Sequence, residues 1–193
     1  DIGENFIPHL TEKTMTLYPA NKGGAIWSPP AWSPVTRNLY AMSVNEAHDF
    51  FLNKPLPNVY KPGMPIVGQY TGGNMPTNLD VFAPNGTFTA ITTDTGKLTW
   101  QHKSPRPMTS GALATAGGLD FAGEMTGDFI AFDAKTGEKI WTYPMGAGVC
   151  TPPITYGIKG VQYVAVGAAG CHGGEILMHN DGRPIFGDVF AIF

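Results

Sequence analysis

The chain has few charged residues and no long apolar run. Only 14% of its residues are charged and the net charge is −3, so it lacks the basic surplus that phosphate backbones attract. No run of about 18 apolar residues is present, and no stretch has convincing helical spacing of apolar positions. We therefore expect no nucleic-acid partner and no membrane-spanning helix.

Cysteine is also scarce. Cys150 and Cys171 allow one disulfide at most. We expect both near the same end of a hairpin, which leaves two readings open, a bridge or two free thiols. The pair Cys171-His172 matches the end of a c-type haem motif, but that motif needs a cysteine where Ala168 stands. Covalent haem attachment at this place is therefore excluded.

Glycine, proline and one repeat are what the sequence does contain. The chain has 25 Gly and 17 Pro, and residues 90–100 (AITTDTGKLTW) match residues 131–141 (AFDAKTGEKIW) 41 positions later. A period of about 40 to 50 residues is typical of a β-propeller. The Thr-Gly pair predicts a tight turn that Asp133 caps, and Trp100 and Trp141 are predicted to pack between blades.

A second pattern supports short strands that follow proline pairs. Ser28-Pro29-Pro30 precedes Tyr40 by ten residues from the last proline, and Thr151-Pro152-Pro153 precedes Tyr163 by the same distance. Each stretch predicts a strand, a turn and a second strand. The pattern aligns Tyr40 with Tyr163.

Together these patterns predict an all-β fold, a partial β-propeller of about three four-stranded antiparallel blades in a single domain, 1–193. The predicted blades are 24–103, 111–143 and an incomplete 150–193 with three strands. A loop is predicted at 45–85 because prolines interrupt it, although its length would also accommodate a degenerate blade. The start Asp1-Ile2-Gly3 lacks Met, and we expect a piece of a longer ring.

Four stretches resemble the quinoprotein dehydrogenases when taken in order. They are GGAIWSP at 23–29, GALATAGGL at 111–119, the 131–141 repeat, and TPPITY at 151–156. The chain resembles the C-terminal part of an alcohol or methanol dehydrogenase of this family, an eight-bladed propeller with pyrroloquinoline quinone (PQQ) on its axis. The resemblance implies PQQ, calcium or a lanthanide in the complete enzyme, an alcohol-type substrate, a cytochrome c-type electron acceptor and a periplasmic location.

The same resemblance implies cofactor-binding positions. Trp27 matches the tryptophan beside the quinone, whereas Ile26 stands where the family has asparagine. Thr109, followed by Ser110, stands where methanol dehydrogenases carry a tryptophan under the quinone, which implies a smaller and more polar floor. The family's catalytic aspartate, metal ligands and adjacent cysteines lie N-terminal to the matched part. We therefore assign no catalytic or metal-binding residue here and expect the isolated chain to be inactive.

Two other readings stay open at the level of sequence. One is a non-enzymatic scaffold propeller of the outer-membrane assembly type, and the other is a subunit of a split quinoprotein completed by blades from another chain. Among the histidines, His102 is predicted to be solvated on an outer strand. His172 lies in a loop that could face the funnel of the propeller.

Overall fold

The computed structural model describes residues 15–19, 24–25, 27–52, 62, 70–74, 84–171 and 187–193. Within these ranges the chain forms strands and no helix. The strands are β1 (Met15–Leu17), β2 (Ala31–Ser33), β3 (Asn38–Asn45), β4 (His48–Leu52), β5 (Tyr70–Asn74), β6 (Asn85–Thr92), β7 (Leu98–Ser104), β8 (Leu113–Ala114), β9 (Leu119–Gly123), β10 (Asp128–Asp133), β11 (Lys139–Pro144), β12 (Ile154–Ile158), β13 (Val161–Ala168) and β14 (Val189–Ile192).

Eleven of these strands make three antiparallel sheets that correspond to the predicted blades. Blade 1 has the order β2-β3-β6-β7, blade 2 has β8-β9-β10-β11, and blade 3 has β12-β13-β14. Within each blade the strands pair in the order in which they occur along the chain. We call the first strand of each blade its inner strand, after its place in a propeller blade. The prediction of an all-β fold with four-stranded antiparallel sheets is confirmed.

The segment between β3 and β6 differs from its prediction as a loop. β4 and β5 lie inside it and pair with β1 in a separate three-stranded sheet. The prediction of a loop over 45–85 is therefore wrong at these two strands. The physical reason is the position of the prolines. Pro55 and Pro76 follow the two strands and do not interrupt them.

The register also corrects the predicted alignment of the two tyrosines. Tyr40 lies opposite Ala90 on the third strand of blade 1, and Ala191 on the third strand of blade 3 lies opposite Val166. Ala90 and Ala191 occupy the same place on their strands, each four residues after a glycine (Gly86 and Gly187). Tyr40 therefore corresponds to Val166 and not to Tyr163. First strand and turn together span the same ranges of seven residues, 31–37 and 154–160, so counting from the prolines finds the start of the second strand but not its register against the third strand.

Trp100 joins blade 1 to blade 2 as the repeat predicts. Its ring is 8% exposed, and its indole N–H donates a hydrogen bond of 3.0 Å to the carbonyl oxygen of Ala134 in the turn of the next blade. The ring centroid lies 5.3 Å from that of Phe88 and 6.0 Å from that of Phe132. The interface is thus an aromatic core formed by both sheets.

The turn that receives Trp100 is held by its own aspartate. The Asp133 carboxylate accepts hydrogen bonds from the backbone N–H groups of Lys135 at 2.9 Å and Thr136 at 2.8 Å, and from the Thr136 hydroxyl at 3.0 Å. The Thr136 backbone bond is the largest cause that holds the pKa of Asp133 below its usual range. The predicted cap is confirmed.

Alanine at Gly137 is expected to destabilise the protein by about 3 kcal/mol, against about 1 kcal/mol for alanine at Gly96. Both glycines have positive φ, +74° and +69°. A Cβ at Gly137 would lie 2.6 to 2.8 Å from Trp100 ring atoms, whereas a Cβ at Gly96 meets nothing within 4 Å. Equilibrium denaturation of both variants measures the difference. Equal losses would show that Trp100 does not require a glycine beneath it.

Blades 2 and 3 meet through a second apolar core. Phe129, Val149 and Val166 are buried in it with alanine and methionine neighbours. Trp141, the second repeat tryptophan, is 37% exposed, and its ring centroid lies 5.0 Å from that of Phe193. Trp141 thus contacts the residue that directly follows the third strand of blade 3, as its predicted place between blades requires.

The two ends of the blades differ in the length of their connections. At one end, the turns between first and second strands and between third and fourth strands are all short. At the other end, second and third strands are joined across 46–84, 124–127 and 169–188, and the blades are joined across 105–112 and 145–153; all of these except 124–127 are longer than the turns at the first end. We call this second end the loop end. Long connections on a rigid sheet scaffold are where binding residues concentrate.

Candidate functional site

The three segments of the chain that lead into the inner strands of the three blades converge at the loop end. Gly111 has φ of +133°, and a Cβ there would lie 2.9 Å from two ring carbons of Pro29 and 3.0 Å from Cβ of Pro152. The backbone N–H of Ala112 donates a 2.9 Å hydrogen bond to the carbonyl oxygen of Pro29. Pro29, Gly111 and Pro152, one residue from each blade, therefore lie against one another, and the middle position has room only for glycine.

Two of the predicted cofactor residues lie on these converging chains. Trp27 is 65% exposed and stands two residues before Pro29. Thr109 is half-buried and stands two residues before Gly111. Ile26 lies outside the described residues. An exposed indole and a hydroxyl are groups that an aromatic, polar ligand could contact by stacking and hydrogen bonding.

Ser110 faces into the protein instead. It is 1% exposed, its hydroxyl accepts a 2.9 Å hydrogen bond from the N–H of Gly123, and it donates to the carbonyl oxygen of Gly123 at 3.0 Å. The Ser110 hydroxyl oxygen also lies 3.3 Å from Met42 Sδ. Direct contact of Ser110 with a cofactor stays a prediction, and the role that the structure gives its hydroxyl is a bond between connector and sheet.

Cys150 and Cys171 form a disulfide with their Cα atoms 5.4 Å apart. It ties the connector that precedes Thr151 to the chain that follows β13. The N–H of Gly170 also donates to the carbonyl oxygen of Gly148 at 3.3 Å. Of the two readings left open by sequence, the structure has the bridge, and both cysteines lie at the loop end. His172 lies outside the described residues.

His102 is not solvated as the sequence predicts. Its Nε2 lies 2.7 Å from Oε1 of Glu124 on the neighbouring blade, and its side chain is 16% exposed. The prediction failed because His102 is on the face of β7 that packs against Phe132, at a centroid distance of 5.2 Å. Burial raises the pKa of Glu124, but hydrogen bonds from His102 and Thr126 and the charge of Lys139 outweigh it and lower that pKa.

Asp120 is a buried carboxyl group between blades 1 and 2. It is 0% exposed, and burial raises its pKa to about 7. The Tyr40 hydroxyl opposes this rise, while the charge of Asp133 adds to it. The Tyr40 hydroxyl itself donates to the carbonyl oxygen of Ala134 at 2.9 Å. Asp120 therefore titrates near neutral pH inside the interface and away from the loop end.

Sequence reasoning missed Asp120, the His102–Glu124 pair and the bonding of Ser110. A signal for Asp120 exists in hindsight, because the corresponding residue is Leu39 in blade 1 and Ala165 in blade 3. One carboxyl at a position that is otherwise apolar marks a site of unusual chemistry. The His102–Glu124 pair and the hydrogen bonds of Ser110 depend on which distant parts of the chain pack together. No local sequence pattern encodes this packing.

A polar groove of about 630 Å³ lies on the face of blade 1 turned away from blade 2. Hydroxyl and amide groups along it are hydrogen-bonded to one another, with Ser43 Oγ 2.7 Å from Thr87 Oγ1 and Asn45 Nδ2 3.1 Å from Asn85 Oδ1. This face contrasts with the aromatic face that meets blade 2. Its lining residues are Tyr18, Ser43, Asn45, Asn85, Thr87, Gln101, Lys103 and Ser104.

In the ranges that the structure describes, no three His, Cys, Asp or Glu side chains are grouped to hold a metal ion. The described part of the chain also contains no helix of the length and apolar character that a membrane crossing needs.

Comparison with protein families gives one match over most of the chain. Residues 1–164 match the PQQ family model, described as the β-propeller domain of glucose/ethanol/alcohol dehydrogenases. The match includes blades 1 and 2, the connector to blade 3 and most of its first hairpin.

Individual relatives agree with that match. The chain is 36% identical over 169 residues to the quinoprotein alcohol dehydrogenase PedE of Pseudomonas putida, covering 85% of this chain and 26% of PedE. The quinohemoprotein alcohol dehydrogenase of Comamonas testosteroni aligns with a TM-score of 0.68 at 29% identity, covering 81% of this chain and 24% of that one. A europium-containing methanol dehydrogenase aligns with a TM-score of 0.66 at 30% identity, covering 83% and 28%. The chain thus spans about a quarter of the length of these relatives.

Proposed function

Because the chain belongs to the β-propeller family of PQQ-dependent glucose, ethanol and alcohol dehydrogenases, we propose that it is the part of a PQQ-dependent dehydrogenase that forms one side of the cofactor pocket. The substrate proposed is an alcohol or a related compound. The observation that carries the proposal is the convergence of three inner chains at Gly111, at the loop end and close in sequence to Trp27 and Thr109.

The residues present fit such a cofactor. Trp27 offers an accessible indole whose face can pack against a planar tricyclic quinone, and Thr109 offers a hydroxyl that can donate to a carboxylate or carbonyl oxygen. Ile26 would contribute apolar contact only. When bound, PQQ supplies the two-electron acceptor for alcohol oxidation, while the residues of this chain hold and orient it.

The remaining proposals concern the protein around this chain. Further blades of the ring, calcium or a lanthanide beside the quinone, and a cytochrome c-type electron acceptor complete the proposed enzyme. A periplasmic location is supported by the Cys150–Cys171 bond, since disulfides persist in oxidising compartments.

Titration of PQQ into the complete apo protein in the presence of calcium or a lanthanide tests the function. We expect saturable binding, followed by alcohol-dependent reduction of an artificial dye. Replacement of Trp27 by alanine should weaken PQQ binding about tenfold or more, because stacking area is lost.

Trp32→Ala is the matched control, since Trp32 is an exposed tryptophan on the inner strand β2. It should bind PQQ within about twofold of the parent protein. Absence of quinone absorbance and of PQQ binding in the complete parent protein would refute the proposed function. Equal weakening of PQQ binding by both substitutions would refute only the assignment of Trp27 as a cofactor-binding residue and not the proposed function.

A further inference from the structure

Two hydroxyl side chains at the loop end make the same pair of hydrogen bonds in different blades. In blade 2, Ser110 Oγ binds both the N–H and the carbonyl oxygen of Gly123, at 2.9 and 3.0 Å. In blade 3, Thr151 Oγ1 binds both the N–H and the carbonyl oxygen of Gly167, at 3.0 and 2.7 Å. Each hydroxyl stands just before its inner strand, and each glycine lies on the second strand.

These bonds take the place of missing backbone pairing. In blade 2 the inner strand pairs with its neighbour only at Leu113 and Ala114, and in blade 3 the pairing begins at Ile154. On the N-terminal side of Leu113 and Ile154 the connector leaves the sheet, so the backbone groups of Gly123 and Gly167 need other partners. A side-chain hydroxyl supplies both a donor and an acceptor, which allows the connector to diverge while it stays attached.

The attachment points are next to the place where the three blades converge. Ser110 immediately precedes Gly111, and Thr151 immediately precedes Pro152, which are two of the three residues that meet there. The second connector is held again one residue earlier by the disulfide at Cys150. A shift of either connector would therefore move the inner edge of the proposed pocket, including Thr109.

We propose that Ser110 and Thr151 are positioning residues that hold this inner edge in the geometry needed to bind PQQ, acting through Gly123 and Gly167 and not by contact with the cofactor. The inference rests on the proposed function. It assigns Thr151 a role that the resemblance to the family does not give, and it changes the role of Ser110 from contact to support. Groups that bind a ligand are held to within fractions of an ångström by such supporting bonds.

The test is PQQ titration of complete apo protein carrying Thr151→Val, Thr151→Ser, Thr155→Val or Ser110→Ala. Thr155 is the matched control, because its hydroxyl also bonds to a backbone carbonyl in blade 3, that of Tyr163 at 2.8 Å, but on β12 beyond the connector. We expect Thr151→Val and Ser110→Ala to raise the dissociation constant about tenfold. Thr151→Ser and Thr155→Val should stay within about twofold of the parent.

The unfolding temperature of each apo variant is measured alongside, because a purely structural role would lower it without a selective effect on PQQ. Equal PQQ affinity of Thr151→Val and Thr155→Val would overturn the proposal. If Ser110→Ala does not fold, Thr151→Val decides, since Thr151 is exposed. Failure of the parent protein to bind PQQ would instead refute the proposed function and this inference with it.

Discussion

Replacement of Trp100 by alanine is expected to lower the free energy of unfolding by about 3 to 5 kcal/mol. The ring is 8% exposed, contacts aromatic rings of both blades, and donates a hydrogen bond to Ala134. The substitution leaves a cavity between two sheets, and the carbonyl oxygen of Ala134 keeps only the Tyr40 hydroxyl as a side-chain donor. Equilibrium denaturation followed by circular dichroism measures the loss.

Two further variants separate the contributions to this effect. Trp100→Phe keeps an aromatic ring but removes the indole N–H, so it should lose less than the alanine variant. Leu98→Ala on the same strand should change the unfolding free energy by under about 0.5 kcal/mol, because Leu98 is 58% exposed. A loss at Leu98 comparable to that at Trp100 would contradict a docking role specific to the tryptophan.

Replacement of Asp120 by asparagine is expected to remove a fall in stability between about pH 4 and pH 7. Burial raises the folded pKa of Asp120 to about 7, well above the value in the unfolded chain of about 3.9. Between these values the folded state holds a proton that the unfolded state releases. The stabilising contribution is therefore complete below the unfolded pKa, declines as pH rises, and is lost once pH passes the folded pKa.

The size of the effect follows from the same shift. A rise from 3.8 to about 7 corresponds to on the order of 4 kcal/mol across the window. Unfolding free energies of parent and Asp120→Asn at several pH values measure it, as the change in their difference. Asp120→Leu, which introduces the residue found at the corresponding Leu39 of blade 1, controls for loss of the carboxyl without an amide. If both variants retain the parent's slope, Asp120 is not the group that titrates.

A short motif recurs at the start of the third strand of all three blades, and its spacing shows why sequence periodicity found only part of the repeat. Third strands begin alike, with Gly86-Thr87-Phe88 in blade 1, Gly127-Asp128-Phe129 in blade 2 and Gly187-Asp188-Val189 in blade 3. The first two copies are 41 residues apart, whereas the third follows the second by 60. The long connection 169–188 breaks the period, so the third copy is identified by the pairing of its strand with β13.

The sequence by itself determined the all-β fold, most strand positions, the tight Asp133 turn and the place of Trp100 between blades. These features depend on turn residues, strand propensity and a local repeat, all of which are encoded within a few residues. Only the tertiary structure decided the disulfide, the His102–Glu124 pair, the burial of Asp120 and the inward bonds of Ser110. Each of these depends on which faces of distant strands meet, and a buried polar group differs from an exposed one only by the neighbours that the fold brings to it.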